Sequence, residues 1–365
     1  MTETVAARQS AKPDDWGRMR LEQEAIRLAV IGCGDIAVTR HIPTILENSD
    51  VKLVALCDRE IDRARELAVA CGVTTITDDY RKLLDDQTIQ AVIVATPPWV
   101  TPFITIDFLR AGKQVLCEKP MALDAETARQ VARTEAETGK RVQVGFTYRH
   151  DPLLETLRSW IQEGRLGSPL IYRLGIFDEV WDPEGNPEHY QRIFKTMEHG
   201  IPSVHDGAHI ADFLNLLSNS PVKRVESFGM KSREEFPSSN YDTSIIWFEN
   251  GDMAKLEIGW FFPVFPKGEF EVLGPKGIAV FDRIQRYVEL TTIEGNEKVV
   301  HEDDWWEMCF SIQLRKFVEG IRTNRPFVPG TREGIYSLSL TKAIEDSMKR
   351  NSSGMKGEKS DECCS

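Results

Sequence analysis

The stretch Ile26-Arg27-Leu28-Ala29-Val30-Ile31-Gly32-Cys33-Gly34-Asp35-Ile36-Ala37 decides the fold. Six mostly apolar residues with β-branched members make a short buried strand. The next six fit G-x-G-x-x-G/A, the turn that joins such a strand to a helix in dinucleotide-binding βαβ units. Gly32 permits the tight turn, Gly34 lets the backbone approach a pyrophosphate, and Ala37 allows close helix–strand packing. The helix start at Asp35 and Ile36 offers N–H groups and a dipole to phosphates.

Reading outward, residues 51–57 form a second buried strand that ends in Asp58, 26 positions beyond Gly32. A carboxylate there accepts hydrogen bonds from both ribose hydroxyls and repels a 2′-phosphate, which favours NAD over NADP. Arg59 beside it could turn toward such a phosphate, and Asp58 also suits an N-cap for a helix starting near Glu60. Residues 90–95 read as a strand ending in Thr96-Pro97-Pro98, with Thr96 and Pro97 as backbone contacts to a cofactor. Residues 114–117 read as another, delivering Glu118-Lys119-Pro120, and 141–145 close the unit. Helical patterns near 36–46, 61–71, 101–111 and 124–138 alternate with these strands, so the expected fold is a doubly wound parallel sheet. In such sheets ligands lie outside the carboxyl ends of the strands, where Gly32, Asp58, Thr96, Glu118 and Lys119 all fall.

The chain of 365 residues is long enough for two domains, and its hydrophobic content of 41% supports real cores. A net charge of −12 disfavours nucleic acid and anionic membranes as partners. No apolar run reaches the roughly 18 residues of a membrane span. The polar start, residues 1–25, and the tail, 351–365, read as disordered, and the absence of a signal-peptide core points to the cytoplasm. Seven cysteines show no C-x-x-C or zinc spacing; Cys33, Cys57 and Cys117 act as small apolar residues at strand ends.

Beyond a helix at 152–163 the pattern changes to segments at 170–177, 222–230, 243–248, 254–262, 268–273 and 278–281, with one long amphipathic helix at 206–217. Turns at 249–252 and 274–277 suggest hairpins in an open, mostly antiparallel sheet covered by a helix. Helices near 304–323 and 331–350 finish an α+β domain. The expected division is a Rossmann domain at 26–147 and a substrate-binding and oligomerisation domain at 148–350, whose last helix can pack back on the first. Residues 177–201 form a long loop, and its Trp181, His189 and Tyr190 suit sugar faces and hydroxyls. Tyr148 and Arg149, just past the last parallel strand, are further candidate substrate contacts; ordinary loop packing explains these residues equally well. Trp305 and Trp306 read as core or interface.

At this point the chain resembles the glucose-fructose oxidoreductase and inositol dehydrogenase family, Gfo/Idh/MocA, over roughly residues 26–348. The resemblance is carried by Gly32 to Ala37, by Ala95-Thr96-Pro97-Pro98 and by Ala111-Gly112-Lys113-Gln114-Val115-Leu116-Cys117-Glu118-Lys119-Pro120. Gly145-Phe146-Thr147-Tyr148-Arg149 and Asp206-Gly207-Ala208-His209-Ile210-Ala211-Asp212 complete it. It implies NAD(P)-linked interconversion of a secondary alcohol and ketone on a sugar, polyol or glycoside, in a homo-oligomer, dimer or tetramer, formed through the open sheet. Lys119 matches the family's catalytic lysine, and His209 the histidine of its D-x-G-x-H segment. Anchored on Gly207 and His209, that segment puts His205 where the family carries aspartate. The family's histidine after Thr-Pro-Pro is also replaced, by Trp99.

The chemistry suits these types. Oxidising CH–OH needs a hydride acceptor on one side of the carbon and a proton acceptor on the other, and imidazole, with an ordinary pKa of about 6.5, transfers protons near neutrality. His209 is therefore the expected acid or base. Lys119 stabilises the developing alkoxide and relays the proton, its affinity for that proton lowered by desolvation. His205 and His209, one turn apart, can share one cavity, and Asp212 can orient His209. A zinc reading needs Asp178, Glu179 or His189 as further ligands, and no spacing fixes them; the metal-free reading is preferred. Two rival functions remain: a glycoside-cleaving enzyme that uses transient oxidation, and a non-catalytic NAD-binding sensor.

Overall fold

The computed structural model describes residues 24–266 and 270–354. The expected disordered ends lie outside these residues except at 24–25 and 351–354, and the last helix, Thr331–Gly354, continues beyond residue 350.

Six strands form the first sheet: β1 (Ile26–Ile31), β2 (Val51–Cys57), β3 (Thr75–Thr77), β4 (Ala91–Val94), β5 (Gln114–Cys117) and β6 (Val142–Val144). Their order is β3-β2-β1-β4-β5-β6, all parallel. The strand order reverses between β1 and β4, which opens a crevice at their carboxyl ends. Central strands read as continuous apolar runs because helices cover both faces; Leu28, Ala29, Val30 and Ala91 to Val94 are buried. The short β3 escaped the sequence reading, although its Thr-Ile-Thr is a strand-forming run.

The second sheet has eight strands: β7 (Ile171–Asp178), β8 (Val222–Met230), β9 (Tyr241–Phe248), β10 (Met253–Trp260), β11 (Phe270–Gly274), β12 (Gly277–Asp282), β13 (Tyr287–Thr292) and β14 (Gly295–Val300). Their order is β14-β13-β12-β11-β7-β10-β9-β8. Only β7 and β10 pair in parallel, so the sheet is mostly antiparallel, as expected. Alternation is plain in β9 and β10, where Ile246, Phe248, Ala254, Leu256 and Ile258 are buried against helices Pro152–Gln162 and Gly207–Leu217.

Within the expected loop at 177–201 lies an 11-residue helix, Pro187–Met197. Asn186 accepts from the His189 N–H and Pro187 occupies the first turn, an N-terminal signature present in the sequence. Helix Trp305–Thr323 then returns to the first domain, where Leu314, Phe317 and Val318 join Phe327 in the core beside β1 and β2. Gln143 of β6 donates to the Gln313 carbonyl at 3.1 Å, and the Val144 N–H donates to the Pro329 carbonyl at 3.1 Å. Among the described residues no helix is long and apolar enough to cross a membrane.

Candidate active site

The glycine turn is built as its sequence demands. Gly32 has φ +95°, and a Cβ there would stand 2.5 Å from the Ala95 carbonyl oxygen, so only glycine fits. A Cβ on Gly34 would meet no chain atom within 4 Å, so that glycine leaves room for something other than the protein itself. The helix opens at Asp35 and Ile36, and its first N–H groups have no partner within the helix. Asp58 accepts from the Cys33 N–H at 2.7 Å and the Glu60 N–H at 2.8 Å. It therefore ties the glycine turn to the end of β2 while keeping acceptor sites for a ribose. Arg59 points into solvent, 90% exposed and 3.6 Å from Glu60. Thr96 packs on Gly32 and shares a hydrogen bond with Thr101. This cradle fits an NAD-type dinucleotide.

From the end of β5, Glu118 is clamped by His41 at 2.8 Å and accepts from the Lys119 N–H. Gly145 lets it sit there, since a Cβ would come within 3.0 Å of its carboxylate. Glu118 thus positions Lys119. Lys119 Nζ donates to Asp206 Oδ1 at 2.8 Å and to the His205 carbonyl at 3.3 Å, and Trp260 Nε1 donates to Asp206 Oδ2 at 2.7 Å. Burial pushes the Lys119 pKa down, but the Asp206 charge and hydrogen bond outweigh it and leave the ammonium raised. Burial likewise pushes Asp206 up, and Lys119 outweighs it, so the carboxyl is held below its ordinary value. The expectation of a lowered lysine is therefore corrected: Lys119 is a fixed cation.

The partner of that cation is Asp206, which sequence counting had set aside, and not the ring of His205. The chain tightens here. Asp206 separates the short helix Pro202–His205 from Gly207–Leu217, and the His209 N–H reaches the Asp206 carbonyl, three residues back, instead of His205, four back. The two histidines consequently take different neighbours. His205 stacks on Trp260 at 5.6 Å, and its unpaired Nε2 lies beside Gly200. His209 lies flat on Tyr148 at 3.9 Å with Nδ1 unpaired. Burial, then the Lys119 and Arg283 charges, hold His209 well below its ordinary pKa, so the ring is neutral. His205 falls to about 4, chiefly by burial.

Several expected contacts have other work. Arg149 spends its fork on Asp212, Nε at 2.8 Å from Oδ2, with Asp212 buried, so the Asp212 carboxylate is engaged by Arg149 and not by the ring of His209. Tyr148 has His209 on its ring and the Arg283 guanidinium 4.8 Å from its centroid, while Trp305 and Trp306 meet it edge-on at 5.0 Å. Its faces are taken, so it positions His209. Trp181 is covered by Arg233 at 3.9 Å and packs with Tyr190, Phe236 and Phe261 in a small core, in which Trp181 and Tyr190 are partly buried. His189 lies between Glu179 and Arg192. Trp99 stacks at 4.0 Å on His199, brought from the second domain. Asp178, at the end of β7, has its carboxyl pushed up to about 6, by desolvation first and then by Asp206 and Glu179. Among the described residues no group of three or more His, Cys, Asp or Glu could hold a metal ion.

A parallel sheet with a dinucleotide turn at one strand end and a lysine–carboxylate pair beside a neutral histidine at another defines a nicotinamide-linked oxidoreductase. Residues 26–146 match the model of the oxidoreductase family with an NAD-binding Rossmann fold, and residues 154–280 match the Gfo/Idh/MocA C-terminal domain. The chain belongs to the Gfo/Idh/MocA family and is a dehydrogenase of that kind. It is similar to inositol 2-dehydrogenase of Rubrobacter xylanophilus, 23% identical over 91% of this chain and 93% of the relative. It is also similar to scyllo-inositol 2-dehydrogenase (NAD(+)) of Bacillus subtilis, 24% identical over 90% and 95%. Among solved structures, scyllo-inositol dehydrogenase of Lactobacillus casei with bound NAD(H) and scyllo-inositol has the same fold, with a TM-score of 0.77 at 19% identity over 90% of this chain and 98% of that one.

Proposed function

We propose that the chain is an NAD-dependent dehydrogenase that interconverts a secondary alcohol and a ketone on a polyol or sugar. The observation that carries this reading is Lys119, fixed as a cation by Asp206 next to the neutral His209. When bound, the nicotinamide accepts or gives the hydride at the carbinol carbon. Lys119 donates to the carbinol oxygen and stabilises its developing negative charge. The Asp206 carboxylate favours the ammonium form of Lys119, so the base role is assigned to His209. Tyr148 keeps the His209 ring flat and oriented, and Glu118 fixes the backbone that aims Lys119.

Asp58 supports NAD over NADP, since its carboxylate lies at the ribose end of the turn and Arg59 points away from it. The named activities of the relatives make cyclic polyols the first candidates. The test is a panel of inositols, other polyols, sugars and glycosides followed by NADH absorbance. Turnover with NAD on at least one secondary alcohol is expected. Aglycone release without net NADH would favour the glycoside-cleaving alternative, and inertness toward every class would count against the reading. A homo-oligomer in the cytoplasm completes the proposal; light scattering that gave a monomer mass would remove the first part.

A further inference from the structure

The helix Pro187–Met197 belongs to the second domain, yet one of its side chains reaches the glycine turn of the first. Ile193 and Met197 bury the helix in the small aromatic core with Phe236, Trp260 and Phe261, which fixes its place. From the helix, Arg192 Nη2 stands 2.7 Å from Asp35 Oδ2 and 2.7 Å from His189 Nδ1. A guanidinium only donates, so His189 Nδ1 accepts and its Nε2–H donates to Glu179. Glu179 follows the end of β7 in a left-handed conformation, φ 56°. A continuous line of contacts therefore runs from the strand end beside Asp178 to the residue after Gly34.

Asp35 is an odd residue for that place. A carboxylate at the turn that receives a pyrophosphate repels it, unless a cation accompanies the carboxylate. Arg192 is that cation, and its bonds to Asp35 and His189 both use Nη2, which leaves the N–H groups of Nε and Nη1 available to phosphate oxygens. An ion pair this exposed, 52% and 68%, holds little alone. Its value lies in where it parks the guanidinium.

We propose that Arg192 closes over the pyrophosphate of the bound dinucleotide, with Asp35 and His189 holding it in place, so that the second domain governs how fast the cofactor leaves. The proposal rests on the glycine turn being the dinucleotide site, and the experiment separates the two. NADH dissociation from the full-length protein is followed by stopped-flow fluorescence for the wild type, Arg192→Ala and Arg192→Lys, with circular dichroism to verify folding. Arg192→Ala is expected to raise the dissociation rate at least tenfold. Arg192→Lys should give an intermediate rate, because an ammonium keeps the charge and loses the fork. Equilibrium binding of ADP-ribose, which keeps the pyrophosphate, should weaken to the same degree, whereas adenosine binding, measured by NADH displacement, should not change. Equal NADH dissociation from wild type and Arg192→Ala, or an equal loss for adenosine, overturns the latch and leaves the site standing. A wild-type protein that binds neither NADH nor ADP-ribose overturns both.

Discussion

Two glycines two residues apart have opposite reasons for being glycine. Gly32 is required by the protein, through its φ of +95° and the Ala95 carbonyl, whereas Gly34 meets nothing of the chain. Gly32→Ala should therefore cost stability, on the order of 2–3 kcal/mol by urea unfolding. Gly34→Ala should unfold like the wild type but bind NADH at least tenfold more weakly in a fluorescence titration. Equal stability losses for both would show that the turn is shaped by packing alone. Lys119→Ala should lower kcat by about 10²–10³ with NADH affinity retained. Asp206→Asn removes the charge that raises Lys119, so the alkaline limb of the pH–rate profile should move to lower pH; an unchanged limb would mean Lys119 is not the titrating group. Lys119 was legible because a lysine at a strand end before proline has few bland explanations. Asp206 was not, because counting four residues back from His209 assumes a uniform helix, and the chain tightens to a three-residue step there.

At the scale of elements, the helix Gly207–Leu217 is pinned to the segment that follows β6 by Arg149 and Asp212. Removing one partner of a buried pair strands the other charge, at a cost of about 3–5 kcal/mol. Arg149→Ala should show that loss in urea unfolding, and the double variant Arg149→Met with Asp212→Leu should recover most of it. A substrate contact would instead raise KM and spare stability. The helix Pro187–Met197 illustrates what patterning misses: Pro183, Gly185, Asn186 and Pro187 are turn formers, and together they masked an amphipathic helix behind them. The strand β14 was missed for another reason. β14 is a polar, mostly exposed edge strand, so no burial imprints a period on its sequence. The parallel sheet was legible because burial on both faces leaves apolar runs that glycine and proline turns delimit.

Over the whole molecule, three histidines are buried and neutral. His150, His205 and His209 all have pKa values pushed down first by burial, His150 to about 3 and His205 to about 4. The unfolded chain binds a proton at each near pH 6.5, so the stability that their low folded pKa values confer is present above that pH and lost as pH falls below it. Each contributes a slope of about 1.4 kcal/mol per pH unit in that range. His150 lies away from the reacting groups and accepts from Lys316. His150→Gln should therefore flatten the dependence of urea stability on pH between 6 and 5 by one such slope, and parallel curves would show that His150 is protonated in the fold.

The first domain cannot finish folding when its own strands have been made. Its core beside β1 and β2 contains Leu314, Phe317, Val318 and Phe327, and β6 borrows a carbonyl from Pro329. A ribosome adding about 5–20 residues per second needs roughly 10–40 s after β6 emerges to supply them. During that interval the nucleotide-binding half waits with an open apolar face, and the second domain is made in the meantime. Its own closing helix then completes both, which makes synthesis of the C-terminal segment the event that commits the whole chain to its native state.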